Sequence, residues 1–115
     1  MPTGFDARPM ATFSGLRGVP LLATSHNALF PSLRILAHGV SLRVIRRHDF
    51  TYDEIAEIDA AWRLGWQITF NPRSGPRNFT AAFAGRADAA QAVAMLHRHK
   101  APLARSALAL LTPGA

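Results

Sequence analysis

Apolar and polar positions alternate with a period of two through the middle of the chain. The period lengthens to that of a helix only after Gly85. Leu33, Ile35 and Ala37 alternate with Arg34 and Leu36. After His38-Gly39, Val40, Leu42 and Val44 alternate with Ser41 and Arg43. A two-residue turn at His38-Gly39 predicts Ala37 opposite Val40, Ile35 opposite Leu42 and Leu33 opposite Val44, every pair apolar on one face. The same register sets Arg34 opposite Arg43 on the other face. Like charges so placed are destabilising unless an acid (Glu57 or Asp59) or a bound anion relieves them.

From Thr51 the local rules conflict. Thr51-Tyr52-Asp53-Glu54 matches a capping box, Phe50 and Ile55 match a hydrophobic staple, and Ile55, Ile58 and Trp62 share one helical face. A three-residue loop at Arg63-Leu64-Gly65 gives a different reading. It pairs Trp62 with Trp66, Ala60 with Ile68 and Ile58 with Phe70, with Ala61–Gln67 and Asp59–Thr69 on the opposite face. That agreement favours a short turn at Tyr52 to Ile55 followed by a strand to Trp62. The next connection, Asn71 to Arg77, brings Phe70 to Phe79, Ile68 to Ala81, Trp66 to Phe83 and Thr69 to Thr80. Both tryptophans are thereby expected on the core face rather than as an exposed stacking platform.

Beyond Gly85, Ala89, Ala92, Val93 and Leu96 form an apolar stripe, with Asp88 in the first turn and Arg98 and Lys100 at the end. Pro102 ends that helix and opens a short second one, Leu103 to Leu111. The pattern therefore predicts an α+β domain: an antiparallel meander capped by a C-terminal helix, with a short terminal helix. Residues 1–27 are punctuated by Pro, Gly and Ser/Thr, and read as a loose segment with one edge strand around Val19 to Ala23. Residues 28–115 form the single domain.

The features just described resemble a pleckstrin-homology-like (PH-like) domain of the bacterial or GRAM type. They are the Leu33–Val40 hairpin, the Tyr52-Asp53-Glu54-Ile55 step and the last strand, Asn78 to Phe83, running into a helix. The resemblance spans roughly residues 29–100 and implies a partly open barrel or sandwich that binds phosphoinositides, proteins or peptides. The chain departs from it in its N-terminal part, in its extra terminal helix and in lacking a Lys-rich loop.

Composition narrows the functional classes. Of 115 residues 49% are hydrophobic and 17% charged, enough for one packed core. There is no apolar run of membrane-spanning length, and no secretory leader is read, so cytoplasm is the default. No cysteine is present, which removes disulfides and thiolate ligands. The formal net charge is +6, yet twelve of the thirteen basic residues are Arg and Ala is the commonest residue. That bias points to a GC-rich, bacterial genome as much as to an anionic partner.

Strand parity gathers Arg46, Arg47, His48, Arg73 and Arg77 at one end of the meander as a candidate anion-binding rim. The plainer reading, solvated loop charges balanced by Asp49 and Asp53, weighs more. His97 and His99 face different ways on the helix and make no metal pair, and the remaining histidines are scattered. No nucleophile motif, phosphate loop or dinucleotide fingerprint occurs, so no catalytic residue and no cofactor is assigned. The expected function is a non-enzymatic binding module for a protein partner or a second copy of itself. The alternative is an acidic ligand (inositol phosphate, acidic lipid or nucleic acid) on the rim, with nucleic acid the least expected.

Overall fold

A computed structural model describes residues 5–7, 9–16, 23–27, 32–43, 47–62, 65–75 and 77–111, with the side chains of 13–16 and 23–27 left aside. The strands are β1 (Phe5–Ala7), β2 (Ala11–Leu16), β3 (Ala23–Asn27), β4 (Ser32–Ile35), β5 (Gly39–Arg43), β6 (Arg47–Thr51), β7 (Ile55–Trp62), β8 (Trp66–Pro72) and β9 (Arg77–Phe83). Two helices follow, α1 (Arg86–Arg98) and α2 (Arg105–Leu108). All ladders between strands are antiparallel and form two sheets, β1-β4-β5-β6 and β3-β2-β9-β8-β7, which do not close into a barrel. The protein is thus α+β, with two antiparallel sheets and two short helices.

The inner faces meet in one apolar cluster. Leu33, Ile35, Val40 and Leu42 come from the first sheet, and Ile55, Ile58, Ile68, Phe70, Phe79, Ala81 and Phe83 from the second. The α1 stripe of Ala89, Ala92, Val93 and Leu96 is fully buried against them, as its helical spacing predicts. Thr12 on β2, also fully buried, donates to the carbonyl oxygen of Arg43 on β5 at 2.5 Å and so ties the sheets together.

The second and third hairpins have the predicted pairings, from Trp62–Trp66 through Ile58–Phe70 and from Phe70–Phe79 through Trp66–Phe83. The Thr69 and Thr80 hydroxyls share a 2.9 Å hydrogen bond. The conflict at Thr51 resolves into both motifs in succession. Tyr52–Glu54 is a single 3-10 turn, with Glu54 Oε1 accepting the Thr51 N–H at 2.9 Å, and β7 starts at Ile55.

The first hairpin differs from expectation. Ile35 pairs with Val40, Leu33 with Leu42 and Arg34 with Ser41, so the apolar face is kept but the partners shift. The reason lies at Gly39, which is the first residue of β5 rather than part of a two-residue turn. A Cβ there would overlap the Phe50 carbonyl group, so glycine serves the close approach of β6. The expected Leu33–Val44 pair is replaced by Leu33–Leu42, and Val44 itself lies outside the described residues. Arg34 accordingly does not face Arg43; it pairs with Asp6 of β1 at 2.9 Å.

Two further expectations change. Residues 5–27 supply three strands, with β2 inside the second sheet, where a loose start with one edge strand was anticipated. Most of that anticipated strand, Val19 to Leu22, lies outside the described residues. Trp62 is 61% exposed rather than in the core, because it ends the edge strand β7 beyond the helical cover. Trp66 is half-buried and lies 5.6 Å from Trp62 between ring centroids. The terminal helix is shorter than anticipated: one turn, Arg105–Leu108, then a 3-10 turn to Leu111.

Candidate functional site: a cleft between the sheets

β6 is a strand in which side chains alternate. Arg47, Asp49 and Thr51 are exposed on the outer face, whereas His48 and Phe50 point inward and are half-buried. On the facing sheet, Phe79 lies 4.5 Å from His48 and 5.2 Å from Phe50 between ring centroids, a tilted aromatic cluster. The turn joining β8 to β9 rises beside it. Gly75 takes a positive φ of 87°, and the Arg73 N–H donates to the Glu54 carbonyl at 2.8 Å. Arg73 Nε also donates to the Asp53 carbonyl oxygen at 2.7 Å, which pins its side chain across the start of β7.

These elements enclose a cleft of about 610 Å³ lined by His48, Phe50, Asp53, Glu54, Pro72, Arg73, Ser74, Gly75, Arg77 and Phe79. Its floor is aromatic. Arg73 and Arg77 line it together with Asp53 and Glu54, whose backbone carbonyls accept from Arg73. The Glu54 carboxylate caps the Thr51 backbone, and the cleft combines an aromatic base with two arginines and two carboxylates.

Three of the five candidate rim residues, His48, Arg73 and Arg77, therefore line one site. Arg47 does not join them. It projects from the opposite face of β6, 3.3 Å from Asp49, and sits directly across from Arg43. The rim was expected as a cluster of loops, and it divides because residues 47–51 are strand, whose alternation sends neighbours to opposite faces. Arg46 lies outside the described residues. Phe50 and Phe79, which make the floor, were expected as a helix staple and as plain core. The inward parity of His48 and Phe50 between Arg47, Asp49 and Thr51 was the signal that marks them.

A second concavity of about 900 Å³ lies on the outer face of the first sheet, with Arg34, His38, Arg43, Arg47, Asp49 and Glu54 among its lining residues. Two of its arginines are engaged with Asp6 and Asp49. Among the described residues no group of three His, Asp or Glu side chains could hold a metal ion, and no helix is long and apolar enough to cross a membrane. The sequence matches no protein-family model and no curated protein.

Proposed function

We propose that the chain is a non-enzymatic interaction module of PH-like architecture, whose partner is a protein segment carrying an apolar side chain beside an acidic one. The observation that carries this reading is the cleft: an aromatic floor of Phe50 and Phe79 beside Arg73 and Arg77. An apolar side chain gains by leaving water over the two rings, and a carboxylate is oriented by guanidinium donors. The PH-like part draws support from two facing antiparallel sheets, from consecutive strands β1 and β2 that join one sheet each, and from a helix directly after the last strand.

Panning a phage-displayed library of random peptides on the full chain tests the reading. Enrichment of peptides with an apolar residue and an acid close together in sequence is expected. Arg77→Glu is expected to weaken the enriched peptide by about tenfold or more, the loss of a charge-assisted contact. No enrichment, or peptides indifferent to Arg77→Glu, overturns it.

A second reading has one observation in its favour. Arg43 faces Arg47 across the β5–β6 ladder, a like-charge pair on the outer concavity that an acidic lipid headgroup or inositol phosphate would relieve. Binding of such an anion that survives Arg77→Glu and falls steeply with salt belongs to that face.

A further inference from the structure

One wall of the cleft, β6, is an edge strand of its sheet among the described residues. Tyr52 N–H donates to the His38 carbonyl oxygen at 3.1 Å, which sets the alternation of the β5–β6 ladder. Counting back from that bond, His48 and Phe50 direct their backbone groups to β5, and Arg47, Asp49 and Thr51 direct theirs away from it. The outward Thr51 N–H is taken by Glu54 Oε1. The N–H and C=O groups of Arg47 and Asp49 have no strand beside them among the described residues.

The edge of β7 is managed differently. Ile58 N–H donates to the Pro102 carbonyl and Ala104 N–H to the Ile58 carbonyl, each at 2.8 Å, while Ala60 N–H donates to Ser106 Oγ at 3.0 Å. The chain thus covers that edge with its own C-terminal segment. β6 contains no proline or lysine and its charged side chains, Arg47 and Asp49, pair with each other, so its outward backbone groups remain a template for another strand.

Resting on the reading of the cleft as a protein-binding site, we infer that its occupant binds in extended form, adding as a strand to β6 at Arg47 and Asp49. Side chains on one face of the added strand then drop into the cleft. An apolar one covers Phe50 and Phe79, and an acidic one meets Arg77, which forms no ion pair among the described residues. Backbone bonds supply affinity and the two alternate side chains supply selectivity. The occupant is an acidic partner rather than a second copy, since two chains of formal net charge +6 approach against mutual repulsion.

The test uses the peptide enriched above, a copy of it methylated at alternate backbone nitrogens, and the variant Asp49→Pro. Proline removes the outward N–H of Asp49 but no ladder bond and no cleft side chain, and edge strands accept it in that position. Each change is expected to weaken binding by about tenfold, the loss of one or two backbone hydrogen bonds. If Arg77→Glu abolishes binding while neither the methylated peptide nor Asp49→Pro alters it, strand addition is overturned and the cleft reading stands. A peptide indifferent to all three changes overturns both. Should Asp49→Pro unfold, the methylated peptide decides alone, because the protein is then unaltered. Concentration-dependent dimerisation that competes with the peptide and is lost in Asp49→Pro overturns the choice of occupant.

Discussion

Tyr52 joins three parts of the molecule through one ring. Its hydroxyl donates to the Leu36 carbonyl oxygen at 2.6 Å, and its ring stacks on His99 at 6.4 Å between centroids. Burial pushes its phenol up from 10.0 to about 12, since the anion would lose water. Because the folded value lies above the unfolded one, the contribution is complete below pH 10 and is lost as pH rises toward 12. The chain has one tyrosine, so tyrosinate absorbance reads this group without interference. Tyr52→Phe is expected to cost about 1 kcal/mol near neutral pH through the lost hydrogen bond. It should also flatten the alkaline fall in stability, as denaturant midpoints measured across that range would register. Trp62 and Trp66 illustrate the limit of a residue-level reading. Parity correctly paired them, but parity cannot say where the cover of a sheet stops. Trp66 is sheltered, with the Arg86 guanidinium 5.9 Å from its ring centroid, and Trp62 is left out.

At the level of elements, the hairpins of β7, β8 and β9 were legible because both faces carry information. Inside, apolar partners match; outside, Asp59–Thr69 and Ala61–Gln67 agree with the same register. The β4–β5 hairpin was less legible because shifting its register by two residues keeps every apolar residue on the same face. What decides it is the approach of β6 to Gly39, a long-range contact that no local pattern encodes. The same applies to Asp6, the partner of Arg34, which comes from a segment with no strand signal of its own. The candidate site was legible in part for a related reason. His48, Arg73 and Arg77 follow from the expected rim, while Phe50 required seeing strand in a run of charged residues. The C-terminal cover of β7 also went unread, since Pro102 to Ser106 has no strand period. Its hydroxyl contact is testable: Ser106→Ala is expected to cost about 0.5 kcal/mol, the low end for an exposed hydrogen bond. Amide exchange should quicken at Ala60 and not at Ile68, and equal exchange at both would show that the segment does not protect the edge.

Across the whole molecule, the two sheets are held together by unequal seams. Consecutive strands β1 and β2 belong one to each sheet, Thr12 bonds to Arg43, and α1 covers the apolar cluster, so these regions are joined by chain, hydrogen bond and packing. At the cleft the join is aromatic: Phe79 against His48 and Phe50, with no ladder between β6 and the second sheet. Phe79 is only 5% exposed and belongs to the core, yet it is also the floor of the site. Trimming it therefore tests both roles at once. Phe79→Leu keeps an apolar side chain but removes ring contacts, at a cost of about 1–2 kcal/mol, below that of full truncation to alanine. If the aromatic cluster is what holds β6 to the second sheet, the loss falls unevenly. The amides of His48 and Phe50, which face β5, should exchange faster by more than the global change in stability accounts for, while those of Trp66–Phe70 should follow it. Uniform acceleration would mean that β6 is fastened by β5 alone and that the cleft opens only with the whole domain. Uneven acceleration would make β6 a separately mobile wall, able to part from Phe79 and admit a strand without unfolding the rest.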